Sequence, residues 1–183
     1  MIKIAVVNGS VQAKNYLAFV LNILKNQITR NEEFSVIEIN LKEFNLPFPG
    51  EIIQNDDSPK MISLLESAHG IVLGTPEYHG TFTAKLKLMI ENSGYPSALK
   101  GKPISLIGIA SGILGAVKSL EHLRSVCAHI GAFALPRAVS IANVETKFDD
   151  NGNCIDIETE NEIRSLADNL INYCTSINNQ LSE

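Results

Sequence analysis

The stretch Ile71-Val72-Leu73-Gly74-Thr75-Pro76-Glu77-Tyr78-His79-Gly80-Thr81 passes from an apolar run, through a loop, into the helix-like Lys85-Leu86-Lys87-Leu88-Met89-Ile90-Glu91. A short run that is apolar on both faces is typical of a strand buried inside a sheet. When such a strand ends in a loop and the chain continues as a helix, backbone amides and the rings of Tyr78 and His79 lie at one edge of the sheet. This edge is predicted to bind a planar ligand with polar edges.

The rest of the chain repeats this alternation of strand and helix. Strands are predicted at residues 2–7, 34–39, 70–74, 104–109 and 132–142, the last interrupted by Pro136. Apolar residues at helical spacing predict helices at residues 17–28, 59–68, 82–93, 120–130 and 163–174. Apolar strands need cover on both faces, which right-handed crossover helices provide. The predicted fold is a flavodoxin-like, doubly wound α/β protein: a five-stranded parallel sheet in the order 2-1-3-4-5 with helices on both faces.

Length and composition restrict the class of protein. The chain has 183 residues, 45% of them hydrophobic, which is enough for one sizeable core and predicts a single domain over residues 1–183. Its 15 Lys and Arg against 20 Asp and Glu argue against nucleic acid as a partner. Its three cysteines lack C-x-x-C spacing and predict neither a disulfide framework nor a metal site. The first apolar run is too short for a signal peptide or a membrane span, so we expect a cytoplasmic protein without a membrane partner.

Ligands of doubly wound sheets bind beyond the carboxyl ends of the strands, near the switch in strand order. The loop after the first strand reads Asn8-Gly9-Ser10-Val11-Gln12-Ala13-Lys14-Asn15-Tyr16. Gly9 permits a sharp turn, Ser10 and Asn15 are short polar donors, and the next helix begins with free N–H groups that favour an anion. A phosphate monoester fits this loop, although Ser10 or Asn15 can equally serve only as a helix cap. The glycine motifs of nucleoside-triphosphate and dinucleotide sites are absent from the sequence.

Two further loops follow the third and fourth strands. In the first of these, Pro76 fixes the chain and Gly80 reverses it, so that amides and the Tyr78 ring can meet the edge of a flavin ring. Tyr78 can instead be a packing residue, and His79 a solvent-facing one. The other loop, Ala110-Ser111-Gly112-Ile113-Leu114-Gly115-Ala116, has two glycines that allow backbone to approach a ligand, or that simply make a tight turn.

Together these motifs resemble those of the NADPH-dependent FMN reductases, a family that includes azo, quinone and chromate reductases. The resemblance is carried by Gly9-Ser10, Pro76-Glu77-Tyr78-His79-Gly80-Thr81 with Leu86-Lys87, and Ser111-Gly112-x-x-Gly115 with Leu123-Arg124, and it spans residues 2–174. It implies FMN as cofactor and NADPH or NADH as co-substrate. The implied FMN site consists of Ser10, Gln12, Asn15 and Tyr16 around the phosphate, and of Pro76, Glu77, Tyr78, His79, Gly80, Ser111, Gly112, Ile113 and Gly115 around the isoalloxazine.

The resemblance also implies a mechanism without a side-chain nucleophile. A hydride passes from reduced nicotinamide to the flavin, and the electrons pass to a small acceptor such as a quinone, an azo compound, free flavin or a metal oxyanion. Helix N-termini and loop amides near the ring favour its anionic reduced form. His79 is a candidate proton donor to the reduced acceptor.

Members of the family commonly form dimers or dimers of dimers. In this chain Leu88 and Phe82 are predicted to remain exposed beside the third helix, which favours a homodimer or homotetramer. Tyr95 is a candidate aromatic residue at the subunit contact.

The chain departs from the family pattern at three positions. Gln12 stands where the family usually has arginine, Leu17 where it usually has asparagine, and His79 where it usually has asparagine. Without the arginine, phosphate binding depends more on neutral donors and the helix dipole. Lys14 is a candidate replacement for the missing charge.

Two other functions are compared with this one. A serine hydrolase using Ser10 or Ser111 with His79 lacks the G-x-S-x-G elbow and an evident base. A non-enzymatic FMN carrier or regulatory flavoprotein would pass electrons to a protein partner, but flavodoxin-type carriers usually have a Thr- and Ser-rich first loop, which this chain lacks.

Overall fold

The computed structural model of the protein describes residues 1–180, and residues 181–183 of the predicted domain lie outside this part. The strands are β1 (Ile2–Asn8), β2 (Phe34–Asn40), β3 (Gly70–Pro76), β4 (Pro103–Ile109), β5 (Phe133–Ala134) and β6 (Val139–Ile141). They form one sheet in the order β2-β1-β3-β4-β5, and β6 also pairs with β4. All of these pairings are parallel. The predicted strand order is therefore confirmed.

The fifth predicted strand is broken into two short strands. β5 pairs with the start of β4 and β6 pairs with its end. Between them Pro136 has no N–H to donate, and Arg137 takes a left-handed conformation with φ of 62°. The Arg124 guanidinium donates to the carbonyls of Ala134 and Leu135, both at 2.9 Å. These two carbonyls beside the break therefore have hydrogen-bond partners.

The helices cover both faces of the sheet, as predicted. They are α1 (Tyr16–Ile28), α2 (Ser58–Glu66), α3 (Ala84–Glu91), α4 (Val117–His129) and α5 (Ile157–Gln180). Apolar side chains of α1 and α5 pack in one buried cluster, and those of α2, α3 and α4 pack in the other. Burial of each large aliphatic side chain contributes about 1.5–3 kcal/mol. Within residues 1–180 the structure has no helix with the length and apolar character needed to span a membrane.

The prediction that Leu88 and Phe82 form an exposed apolar stripe is wrong. Both side chains are buried, with only 7% and 8% of their surface exposed. The long loop after β2 packs over α3, and its residues Phe44 and Leu46 belong to the same buried cluster. Two hydrogen bonds hold this loop in place: Lys85 Nζ donates to the Phe44 carbonyl at 2.8 Å, and Asn92 Nδ2 donates to the Pro47 carbonyl at 2.9 Å.

Two of the cysteines are buried core residues. Cys127 lies on α4 and Cys174 on α5, and both are free thiols. Burial raises the pKa of each thiol to about 11. Because the thiolate is the reactive form, these side chains are inert packing residues at neutral pH.

The loop after β1 is fastened to β3 and to α3. The Gly9 N–H donates to the Gly74 carbonyl at 2.9 Å, and a Cβ on Gly9 would lie only 2.6 Å from that oxygen. The Thr83 hydroxyl donates to the Gly9 carbonyl at 2.8 Å and accepts from the Leu86 N–H at 3.2 Å. Thr83 is therefore the N-cap of α3 and also the contact that holds the end of β1.

Replacement of Thr83 by valine should lower the free energy of unfolding by about 2 kcal/mol, because it leaves a buried carbonyl and a buried N–H without their partner. Urea unfolding measures this loss. Thr29→Val is the matched control, since the Thr29 hydroxyl is exposed and its loss should cost less than about 0.5 kcal/mol. Equal losses in the two variants would contradict the role assigned to Thr83.

Candidate functional site

An open cleft of about 260 Å³ lies at the carboxyl ends of β1, β3 and β4. This is the edge at which doubly wound sheets bind ligands. The predicted site residues that line it are Ser10, Gln12, Tyr16, Pro76, Glu77, Tyr78 and Ser111. The lining residues outside the predicted set are Lys14, Ile109, Ala110, Val144 and Glu145.

One wall of the cleft is the loop between β1 and α1. Ser10 is 2% exposed, and its hydroxyl oxygen accepts from the Gln12 N–H at 3.3 Å, which leaves its own proton free to be donated. Asn15 is the N-cap of α1, since its side-chain oxygen accepts from the Ala18 N–H at 3.1 Å. The capping role considered for Asn15 is thus observed. Helix α1 begins at the next residue, Tyr16, which lines the cleft.

Lys14 brings a positive charge to the same wall. Its ammonium lies 5.0 Å from the centre of the Tyr16 ring. A hydrogen bond with Tyr16 is the main cause that raises the pKa of Lys14, so the side chain is fully cationic at neutral pH. Lys14 lines the cleft beside Gln12, the position where an arginine is usual in the family.

A second part of the cleft wall belongs to a tight turn at Tyr78-His79-Gly80-Thr81. Tyr78 and Thr81 exchange two backbone hydrogen bonds of 3.0 and 3.2 Å. His79 and Gly80 both have positive φ, 50° and 76°, which defines a type I′ turn. Asn-Gly is the preferred pair for this turn, so the asparagine that is usual at position 79 has a purely conformational explanation. Tyr78 lines the cleft, whereas His79 is exposed and is not part of the lining.

Glu145 is a cleft residue that the sequence analysis missed. It follows β6, and its carboxylate accepts a short hydrogen bond from the Ser111 hydroxyl. The Val144 N–H donates to the Ala110 carbonyl at 3.1 Å, which fixes this segment beside the loop after β4. The sequence carried no signal for this contact, because it arises only from the pairing of β6 with β4.

The remaining predicted loop residues lie outside the lining. Gly115 has a φ of 68°, and a Cβ there would lie 2.5 Å from the Ser140 hydroxyl oxygen, so packing against β6 already requires glycine. Gly112 has open space around its Cα, and Ile113 is 81% exposed. These three residues shape the loop that carries Ser111.

The chemistry of the cleft fits FMN. One wall has a cation, hydroxyl and amide donors and a helix N-terminus, which together suit a phosphate. The other wall has Pro76 and the Tyr78 ring, which suit a flat apolar surface. Ligand pockets usually measure roughly 300–1,000 Å³. At about 260 Å³ this open cleft lies just below that range.

The strand order and the position of the cleft define a flavodoxin-like protein. The sequence profile of the family described as NADPH-dependent FMN reductase matches residues 2–146. The chain therefore belongs to the NADPH-dependent FMN reductase family. This confirms the predicted enzyme class and the predicted cofactor FMN, and of the two predicted co-substrates, NADPH or NADH, the family assignment supports NADPH.

Individual relatives agree with the family assignment. The chain is 28% identical over 139 residues to an NADPH azoreductase of Bacillus sp. (strain OY1-2), with 75% of each chain covered. It is 26% identical over 178 residues to an FMN-dependent NADPH-azoreductase of Staphylococcus aureus (strain USA300), with 92% of this chain and 93% of the relative covered. The solved structure of FerB, a flavoenzyme NAD(P)H:(acceptor) oxidoreductase from Paracoccus denitrificans, shares the fold with a TM-score of 0.77 at 16% identity. The match covers 96% of this chain and 98% of FerB.

Proposed function

We propose that this enzyme uses FMN bound in the cleft to pass electrons from NADPH to a small acceptor, with azo compounds as the first class to test and quinones as the second. The observation that carries the proposal is one cleft lined both by a cationic, amide-rich loop at the start of α1 and by the aromatic turn after β3. The names of the two sequence relatives support azo compounds as acceptors. A non-enzymatic carrier is not favoured, because both of these relatives are named as reductases.

The residues of the cleft divide into two groups by role. Lys14, Gln12, Ser10 and the first amides of α1 would hold the FMN phosphate. Pro76, Tyr78 and Ser111 would contact the ring system, and the His79-Gly80 turn would set the position of Tyr78. Bound FMN would supply hydride and electron transfer between NADPH and the acceptor. The protein's own contribution is binding and orientation, since no cleft residue needs to act as a nucleophile.

The proposed function is tested by mixing the FMN-loaded protein with NADPH and either an azo dye or a quinone under anaerobic conditions, while NADPH absorbance is followed. Without an acceptor, we expect NADPH to be consumed for one turnover only, and continued consumption should require the acceptor. Double-reciprocal plots of the rate against the two substrates should give parallel lines. A protein that binds FMN but does not oxidise NADPH would instead be a carrier. A protein that does not bind FMN would contradict the proposed site.

His79 is proposed as the proton donor to the reduced acceptor, and His79→Asn tests this role. The substitution should leave the free energy of unfolding within about 0.5 kcal/mol, because asparagine suits a positive φ. Loss of a proton donor should lower quinone turnover and alter the pH profile of that turnover. Unchanged turnover with an unchanged profile would exclude the role.

The oligomeric state stays a prediction, and a different exposed apolar patch now supports it. We propose a homodimer or homotetramer because Ile113 and Leu114, in the loop after β4, and Val117, at the start of α4, are 81%, 84% and 57% exposed. This patch replaces the Leu88 stripe as the candidate contact, and Tyr95, which is fully exposed, stays a candidate as well. The sedimentation mass decides between these states and a 19.9 kDa monomer.

The cytoplasmic location also stays a prediction.

A further inference from the structure

Helix α4 begins without a cap of its own. The residue before it, Ala116, has no side-chain oxygen and therefore makes no capping hydrogen bond to the first turn of the helix. The first N–H groups of a helix have no partner within the helix and need one from elsewhere. This need is acute at Ser119, whose side chain is completely buried near the start of α4.

The missing cap comes from a different loop. Oxygen Oε2 of Glu77 accepts from the Ser119 N–H at 2.9 Å and from the Ser119 hydroxyl at 3.2 Å. Hydrogen bonds to an ionised carboxylate are about twice as strong as neutral ones. A single carboxylate from the loop after β3 therefore satisfies the Ser119 N–H in the first turn of α4, although 42 residues separate the two positions.

The backbone of Glu77 is fixed as well. Its N–H donates to the carbonyl of Ile109, the last residue of β4, at 2.8 Å. Glu77 thus bonds to both ends of the segment between Ile109 and Ser119, which includes the loop with Ser111. Glu77 therefore joins the loop after β3 to the loop after β4, and residues of both loops line the cleft.

Glu77 also changes the charge beside the cleft. The N-terminus of a helix carries about half a positive charge, which an anion within the first turn offsets. Such helix ends, when they lie near the flavin ring, favour its anionic reduced form. At α4 that effect is opposed, because the Glu77 carboxylate lies at the helix end and lines the cleft.

We infer that Glu77 is a positioning residue whose carboxylate caps α4, joins the two loops of the cleft, and holds the reduction potential of bound FMN below the value that an uncompensated helix end would give. The first two parts concern the protein alone. The third part rests on the proposed FMN site.

Three variants separate these parts. Glu77→Ala removes both the acceptor and the charge. Glu77→Gln keeps a carbonyl oxygen that can accept from the Ser119 N–H but removes the charge. Ser119→Ala is the matched control, because it removes only the hydroxyl and keeps the carboxylate at the helix end.

The first measurement uses the FMN-free protein and follows hydrogen exchange of the Ser119 amide. Exchange should accelerate at least about tenfold in Glu77→Ala and stay within about threefold of the wild type in Glu77→Gln. Exchange at wild-type rate in Glu77→Ala would overturn the capping role. This outcome is independent of whether the protein binds FMN.

The second measurement determines FMN affinity by fluorescence and the reduction potential by equilibration with a reference dye. Glu77→Ala should weaken FMN binding at least about tenfold, since the carboxylate that ties the loop after β3 to the start of α4 is lost. In Glu77→Gln the potential should rise by about 15–30 mV, which corresponds to about three- to tenfold tighter binding of the reduced form relative to the oxidised form.

Ser119→Ala should keep the wild-type potential. A wild-type potential in Glu77→Gln would overturn the electrostatic part of the inference, because a purely structural cap predicts that result. If the wild-type protein itself binds no FMN, the proposed function fails, while the exchange measurement still decides the capping role.

Discussion

The parallel pairing of β1, β3 and β4 is the constraint on which the rest of the structure depends. The registers of these strands bring their carboxyl ends to one edge of the sheet, although the loops that follow start near residues 9, 77 and 110. Parallel strands require crossover helices, so each loop leads directly to a helix N-terminus. A cleft with backbone N–H groups and polar side chains on its walls is a direct consequence of this arrangement.

The loops of the cleft are held by bonds within the protein, independently of any ligand. Thr83 fastens the end of β1 to α3, Glu77 fastens the loop after β3 to α4, and Ser111 is bonded to Glu145. Preformed loops lower the ordering entropy that binding would otherwise cost. Several motif residues therefore have a structural role that comes before any contact with FMN: Gly9 and Gly115 allow close packing, and Gly80 allows the type I′ turn.

Much of the fold could be predicted because its signals are local. Apolar runs such as 70–74 and helical spacing such as Leu17 to Ile28 depend only on neighbouring residues. The predictions that were wrong or missing concern contacts between segments that are far apart in the sequence. No local pattern indicates that the loop after β2 buries Leu88, or that Glu145 bonds to Ser111 in the cleft. Residue type at the motif positions indicated their importance but did not separate a helix cap, such as Asn15, from a ligand contact.

The central claim is that this one cleft binds FMN by its phosphate as well as by its ring. An equilibrium titration with FMN and with riboflavin, which lacks the phosphate, tests it most directly through quenching of flavin fluorescence. The account predicts one FMN per chain and at least about tenfold weaker binding of riboflavin, because a charge-assisted contact to Lys14 and the amides of α1 are lost. Equal affinity for the two flavins, or no quenching by the protein, would contradict it.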